Sequence, residues 1–154
     1  LYVGNNSGTI YAIDAASGAT IWSYATSDGP VKGYVMPEYT TGTPTTGAPR
    51  KLYFSTTTTV WAINDIGSSA TSGWSVTSIA GPSLPLAPYR DTHLYVGSTD
   101  GRLYQLDTSG TVTTSVMLGD GSATVGSPAL DVTDSVAYVG SESGAVYAIQ
   151  LPLQ

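Results

Sequence analysis

The sequence predicts an all-β fold, a β-propeller of four-stranded antiparallel blades, on three observations. One hairpin segment recurs through the chain, each of its first three copies is followed by a third strand and a Gly/Pro-punctuated short strand, and the composition suits strands joined by tight turns.

The repeat reads Leu1-Tyr-Val-Gly-Asn-Asn-Ser-Gly-Thr-Ile-Tyr-Ala-Ile-Asp14 in its first copy. It returns as Leu52-Tyr-Phe-Ser-Thr-Thr-Thr-Thr-Val-Trp-Ala-Ile-Asn64, then as Leu94-Tyr-Val-Gly-Ser-Thr-Asp-Gly-Arg-Leu-Tyr-Gln-Leu-Asp107. The last copy is Ala137-Tyr-Val-Gly-Ser-Glu-Ser-Gly-Ala-Val-Tyr-Ala-Ile149. Tyr2, Tyr53, Tyr95 and Tyr138 fall at one matched position, and Tyr11, Trp61, Tyr104 and Tyr147 at another. Each copy reads as a hairpin, because β-branched and aromatic runs flank a turn in which Gly8, Gly101 or Gly144 supplies positive φ. The second copy is one residue shorter and turns through Thr56 to Thr59, so its turn has to differ.

A third strand is expected at 19–24, 74–78 and 111–118, after an Asp/Asn-rich turn. The segments 28–33, 81–88 and 126–131 read as the innermost strand of the next unit. Four strands repeating every ~40–50 residues is the propeller period; a solenoid of that period would carry helices, and no 3.6-residue periodicity is present. The units run about 1–27, 28–78, 79–118 and 119–154. The first lacks its innermost strand and the last its outermost, which gives a partial propeller of about four repeats, two complete and two incomplete. The Tyr147-Ala-Ile-Gln-Leu-Pro ending reads as the C-terminal part of a 7- or 8-bladed propeller. Leu1 opens inside a strand without an initiator Met, so it reads as a processed, proteolysed or first-ordered residue. Such a piece leaves apolar blade faces open, so the expected partners are a protein, further copies of itself or the missing propeller half.

Composition narrows the function. Charged residues make up only 10% of the 154, against about 25% in average soluble domains. The net charge is −6, and Lys32, Arg50, Lys51, Arg90 and Arg102 are scattered, so a nucleic-acid groove is excluded. No apolar run approaches the ~20 residues of a membrane span. With no cysteine there are no disulfides, thiolate metal sites or cysteine nucleophiles. Low Lys with abundant Ser, Thr and Gly leans towards an exported protein.

The pattern Tyr-Val-Gly-x3-Gly-x2-Tyr-Ala-Ile-Asp-x3-Gly-x3-Trp at residues 2–22 resembles the PQQ-like repeat family, which joins quinoprotein dehydrogenase-like and BamB-like β-propellers. The likeness spans nearly the whole chain, strongest in the first unit and weakest in the second. It implies that Trp22, and approximately Trp74, pack between neighbouring blades; the third unit has no Trp there. In catalytic relatives, PQQ stacks beneath a Trp, often above a disulfide, with calcium held by Glu, Asn and Asp. No position here matches those ligands, so PQQ with calcium belongs only to an alternative reading.

Other candidate residues have plain structural readings. His93, the only histidine, stands beside Asp91 and Arg90, with neither a second imidazole nor a nucleophile elbow, and reads as a loop residue near a blade edge. Asp100-Gly101, Asp120-Gly121 and Glu142 lack the string of oxygen ligands calcium needs and read as turn acids. Tyr34, Tyr39 and Tyr89 lie outside the repeat and are candidates for an exposed binding surface. Thr40 to Pro49 is low-complexity, with the composition of an O-glycosylated segment, and Asn5-Asn6-Ser7 is a formal N-glycosylation sequon in a tight turn. No catalytic, cofactor-binding or metal residue is assigned. The expectation is a non-catalytic scaffold or protein-interaction module, self-association included, in the bacterial periplasm or outside the cell. The alternatives are a fragment of a PQQ-dependent dehydrogenase and a glycan- or polymer-binding domain of an extracellular complex.

Overall fold

The computed structural model describes residues 1–38, 50–86 and 92–154, and among them strands are the only regular secondary structure. The first blade is β1 (Tyr2–Gly4), β2 (Thr9–Ile13) and β3 (Thr20–Ala25). The second holds β4 (Lys32–Pro37), β5 (Arg50–Ser55), β6 (Val60–Asp65) and β7 (Ala70–Val76). The third holds β8 (His93–Gly97), β9 (Arg102–Asp107) and β10 (Val112–Met117), and the fourth β11 (Ala129–Asp131), β12 (Val136–Gly140) and β13 (Val146–Gln150). Each blade is one antiparallel sheet, with strands paired in chain order. This is the predicted propeller architecture.

The repeated hairpins superimpose in register. Ala12 faces Trp22 across the outer pair of the first blade, and Ala62 faces Trp74 across that of the second. In the third, Gln105 faces Thr114. The innermost position of the third blade is held by residues 83–86: Ser83 N–H donates to Gly97 O at 2.8 Å, and Leu86 and Tyr95 exchange both backbone bonds. Pro82 and Pro85 have no N–H to give a ladder, so this segment pairs at alternate points rather than as a regular strand.

Two strands differ from the expected spans. The segment expected as a strand at 28–33 is mostly turn, and β4 starts only at Lys32, because Ser27 and Gly29 take φ of 58° and 75° and Pro30 follows them. The third strand expected at 74–78 runs instead over Ala70–Val76. Gly67, at φ 93°, closes the preceding turn in four residues, with Ile66 N–H donating to Ser69 O at 3.0 Å, so pairing resumes early. The Thr40 to Pro49 segment, Tyr39, Tyr89, Arg90 and Asp91 lie outside the described residues.

The glycine-less turn of the second copy closes on itself, Thr56 N–H to Thr59 O at 2.9 Å, and is hooked from the first blade's side. Asp28 accepts from Thr56 Oγ1 at 2.5 Å, from Thr58 Oγ1 at 2.7 Å and from Trp61 Nε1 at 3.2 Å. Burial pushes the Asp28 carboxyl up, but the hydrogen bonds of Thr56, Thr59, Thr58 and Trp61 outweigh it and hold the pKa at about 2. A depressed carboxylate stabilises the fold above its ordinary pKa of 3.8, and that contribution is lost as pH falls from there towards 2. Asp28→Asn is therefore expected to lower stability at neutral pH by about 1 kcal/mol. Thermal melts of variant and wild type should converge as pH approaches 2; a pH-independent gap would show the carboxylate charge to be immaterial.

The core lies between sheets rather than within one. Ile10, Ala12 and Trp22 of the first blade meet Leu52, Phe54 and Ile63 of the second. Tyr53, Val60 and Ala62 of the second meet Leu94, Val96 and Leu106 of the third. Tyr95 and Leu103 of the third meet Ala137 and Val139 of the fourth, with Leu151 and Leu153 closing the end. Strand alternation explains this: every second residue points to the preceding blade and the others to the following one.

Candidate functional site

The blade-to-blade junction is the chemical unit of this chain, and its parts vary with the sequence. At the first junction Trp22, buried on β3, reaches across to donate from Nε1 to Asp65 Oδ1 at 3.0 Å. Tyr2 donates its hydroxyl to the other oxygen of Asp65 at 2.5 Å, and its ring tilts against Trp22 at 5.9 Å between centroids. Burial, together with the hydrogen bond and negative charge of Asp65, raises the Tyr2 phenol to about 12, so it stays a donor across the physiological range. At the second junction Trp74 donates to the backbone carbonyl of Thr108 at 3.0 Å and its ring tilts against Tyr53, again at 5.9 Å. Lys51 Nζ donates to the same Thr108 carbonyl at 3.0 Å. Tyr53 gives its hydroxyl to Glu38 Oε1 at 3.1 Å, and burial followed by the Glu38 charge pushes its pKa up.

The third junction replaces this pair with an amide. Gln105 is buried where the other copies carry Ala, and Thr114 stands where the first two carry Trp. Its Nε2 donates to Thr113 Oγ1 at 3.1 Å, and its Oε1 accepts from the backbone N–H of Leu153, beyond the last strand of the fourth blade, at 2.8 Å. A larger polar side chain opposite a smaller partner thus fills the space and satisfies the amide.

The Tyr-Val-Gly glycines mark where the next blade comes nearest. A Cβ on Gly4 would lie 2.4 Å from Val31 Cγ1, and one on Gly97 would lie 2.1 Å from Gly126 O and 2.5 Å from Val125 O. None of these glycines has positive φ, so proximity, not backbone conformation, is what requires them. The second copy carries Ser55 instead and turns the contact into a bond, Oγ to Ser83 O at 2.7 Å. At the fourth copy the same position is Gly140, and nothing lies within 4 Å of its Cβ.

The terminal faces follow the same pattern. Tyr138 is 46% exposed and Val146 75%, whereas their counterparts Tyr53, Tyr95, Val60 and Leu103 are at 0–1%. On the opposite side, Leu1 is 72% exposed and Val3 43%, while Leu52, Leu94, Phe54 and Val96 are all at 0%. These two faces are the candidate functional surface. The sequence reading expected open blade faces but named none of these residues. The signal was there: the repeat alignment assigns each of them to a position that is core in the inner blades.

The residues weighed singly for chemistry are not brought together. His93 is the half-buried first residue of β8, its ring 6.5 Å from that of Tyr95. Asp100 caps its own turn, accepting from Arg102 N–H at 3.2 Å and Tyr104 hydroxyl at 2.5 Å; Asp120 does so with Ser122. Glu142 donates its backbone N–H to Thr124 O. Asn5 Oδ1 accepts from the N–H groups of Ser7 and Thr9, both at 2.9 Å, and so serves the hairpin turn. Tyr34 is 54% exposed on β4. Among the described residues no group of three or more His, Asp or Glu side chains is placed to hold a metal ion, and no helix is long and apolar enough to cross a membrane.

Comparison with known proteins places this arrangement. A family model described as outer membrane protein assembly factor BamB matches residues 1–114. Among solved structures, BamB from Moraxella catarrhalis is similar at 24% identity with a TM-score of 0.68, over 97% of this chain and 42% of that one. The structure of BBS1N in complex with ARL6DN is similar at 13% identity with a TM-score of 0.72, over 99% of this chain and 47% of that one. The chain thus spans less than half the length of either, and these likenesses show the fold. A search of curated proteins finds no match. The repeat, the junctions and the family match agree: this chain belongs to the family of BamB-like, PQQ-like β-propellers.

Proposed function

We propose that this chain is a non-catalytic, protein-binding scaffold, exported to the periplasm and serving assembly at the outer membrane. The observation that carries the reading is the pair of terminal faces. Tyr138 and Val146 on one side, and Leu1 and Val3 on the other, expose side chains whose counterparts Tyr53, Tyr95, Val60, Leu103, Leu52, Leu94, Phe54 and Val96 are buried between blades. Apolar side chains exposed at core positions of a repeat are a protein-docking feature. The match to a family described as an outer membrane assembly factor supports the same role. The fold itself is neutral between scaffold and enzyme, so the site has to decide. Titration with PQQ and calcium should leave the fluorescence of Trp22, Trp61 and Trp74 unchanged. A saturable quench would instead establish the quinoprotein reading.

A further inference from the structure

The dipeptide Asp-Gly occurs three times, at Asp28-Gly29, Asp100-Gly101 and Asp120-Gly121. It is the sequence most open to attack of a backbone nitrogen on the preceding side-chain carboxyl, because glycine puts no side chain beside that nitrogen. Two of the three occupy the same place in the repeat, the connection that leaves one blade and enters the next. Around the first, Thr26 N–H donates to Gly8 O and Val31 N–H to Asn5 O; around the second, Leu118 N–H donates to Gly101 O and Val125 N–H to Ser98 O. Their carboxylates are held very differently. Asp28 is half-buried and clamped by Thr56, Thr58 and Trp61 of the following blade. Asp120 is exposed, and its bonds from Ser122 N–H at 3.0 Å and Ser122 Oγ at 2.6 Å come from its own turn and move with it. Asp100, in the third hairpin, is tied to Arg102 N–H and to the Tyr104 hydroxyl. Gly101 and Gly121 both keep their N–H in a turn bond, to Ser98 O at 3.4 Å and Leu118 O at 3.2 Å, so the carboxylate tethers are what separate these two.

We infer that Asp120-Gly121 is a modification site at which the chain converts spontaneously to isoaspartate, while the clamp on Asp28 keeps the matching site unmodified. The Gly121 nitrogen attacks Asp120 Cγ and closes a five-membered succinimide. The departing carboxylate oxygen takes the amide proton and one proton from solvent and leaves as water. Water then adds to the ring carbonyl that was the backbone carbonyl of residue 120, returning one proton to the nitrogen and one to solvent. The chain now runs through Cβ and Cγ, and the former backbone carbonyl is a free carboxylate. One water is lost and one regained, so no oxidant or cofactor is needed. The position matters because this connection has no slack. A Cβ on Gly101 would lie 2.5 Å from both C and O of Gly121, so the two turns meet backbone to backbone. Isoaspartate adds a methylene to the main chain beside that contact. It pushes the connection off the third hairpin and pulls at the Leu118 and Val125 bonds that lead into the fourth blade. The seam between the third and fourth blades therefore loosens as the molecule ages.

The test ages the full chain for several weeks at neutral pH and body temperature and maps isoaspartate by electron-transfer fragmentation of its peptides. Residue 120 is expected to lead, ahead of residue 28 by about tenfold or more, the factor that one hydrogen bond to a charged group supplies. In urea the sites should converge, because Asp-Gly is common to them and only the fold tells them apart. Thr58→Val combined with Trp61→Phe removes two of the donors to Asp28 and should raise isoaspartate there severalfold, with residue 120 unchanged. Should that variant fail to fold, the comparison of folded and urea-unfolded wild type still decides. Amide exchange in β11, β12 and β13 should quicken with age in the wild type and stay constant in Asp120→Glu, whose longer side chain does not close the five-membered ring. Absence of isoaspartate at residue 120 in the folded chain, levels at residue 28 or 100 equal to or above it, or the same ranking in urea overturns the inference. So does an aged chain whose exchange in the fourth blade matches that of the fresh one.

Discussion

Replacing Trp22 with alanine is expected to destabilise the chain by about 3–5 kcal/mol, the range for deleting a large buried aromatic. The indole is almost fully buried between the first two blades and its loss opens a cavity there. It also withdraws the Nε1 donor from Asp65, leaving that carboxylate with Tyr2 and the Gly67 N–H as its partners. Trp22→Phe keeps most of the packing and loses the hydrogen bond, so its cost should be nearer 1 kcal/mol. Urea denaturation followed by circular dichroism separates the two. Equal losses for both variants would mean the hydrogen bond dominates, and a negligible loss for alanine would mean the junction collapses around the gap.

The second large effect is expected at Gly97. Valine suits a β-strand by propensity and the position has no positive φ, so strand preference alone predicts stabilisation. The neighbouring blade decides otherwise. The new Cβ would meet two backbone carbonyl oxygens, Gly126 O at 2.1 Å and Val125 O at 2.5 Å, and backbone cannot move aside as a side chain can. Separating the third and fourth blades enough to admit it should cost about 3 kcal/mol, at the upper end of overpacking penalties. The loss should fall on Gly97→Val and be absent in Gly140→Val, the identical substitution in a copy with no neighbour. Parallel melts of the two variants check this; equal melting temperatures would remove proximity as the reason for the glycine.

The contrast between those two glycines shows where the sequence was legible and where it was not. The hairpins could be read because Tyr, the aliphatic alternation and the turn glycines recur at fixed spacing, each enforced by local geometry: Gly8, Gly101 and Gly144 do take φ of 77°, 77° and 84°. The glycine of Tyr-Val-Gly is set by a segment some thirty residues away, which spacing within one hairpin does not reveal. The turn at Thr56 to Thr59 was recognisably different, but its hook, Asp28, lies in the preceding connection, in a segment read as the next unit's innermost strand. The missing Trp of the third unit was noticed, while its substitute was not. Gln105 stands one strand away from the lost Trp position, and only the register between β9 and β10 shows that the two changes compensate. The open terminal faces followed from counting strands, because the repeat says which residues are core once a neighbour is present.

The loss of Trp at the third junction, where Thr114 stands in its place and Gln105 in place of Ala, also shapes what light can report from this molecule. Trp22 and Trp61 both sense the seam between the first two blades, through Asp65 and Asp28, and Trp74 senses the next seam, through Thr108. The last seam is fastened by Gln105 and contains no indole. Repeat proteins come apart piecewise when neighbours contribute unequally, and end units tend to open first. Loosening of the fourth blade would therefore be dark in intrinsic fluorescence while the three indoles still glow as in the folded chain. An indole placed at Thr114, where the first two blades carry theirs, would give that seam its own signal.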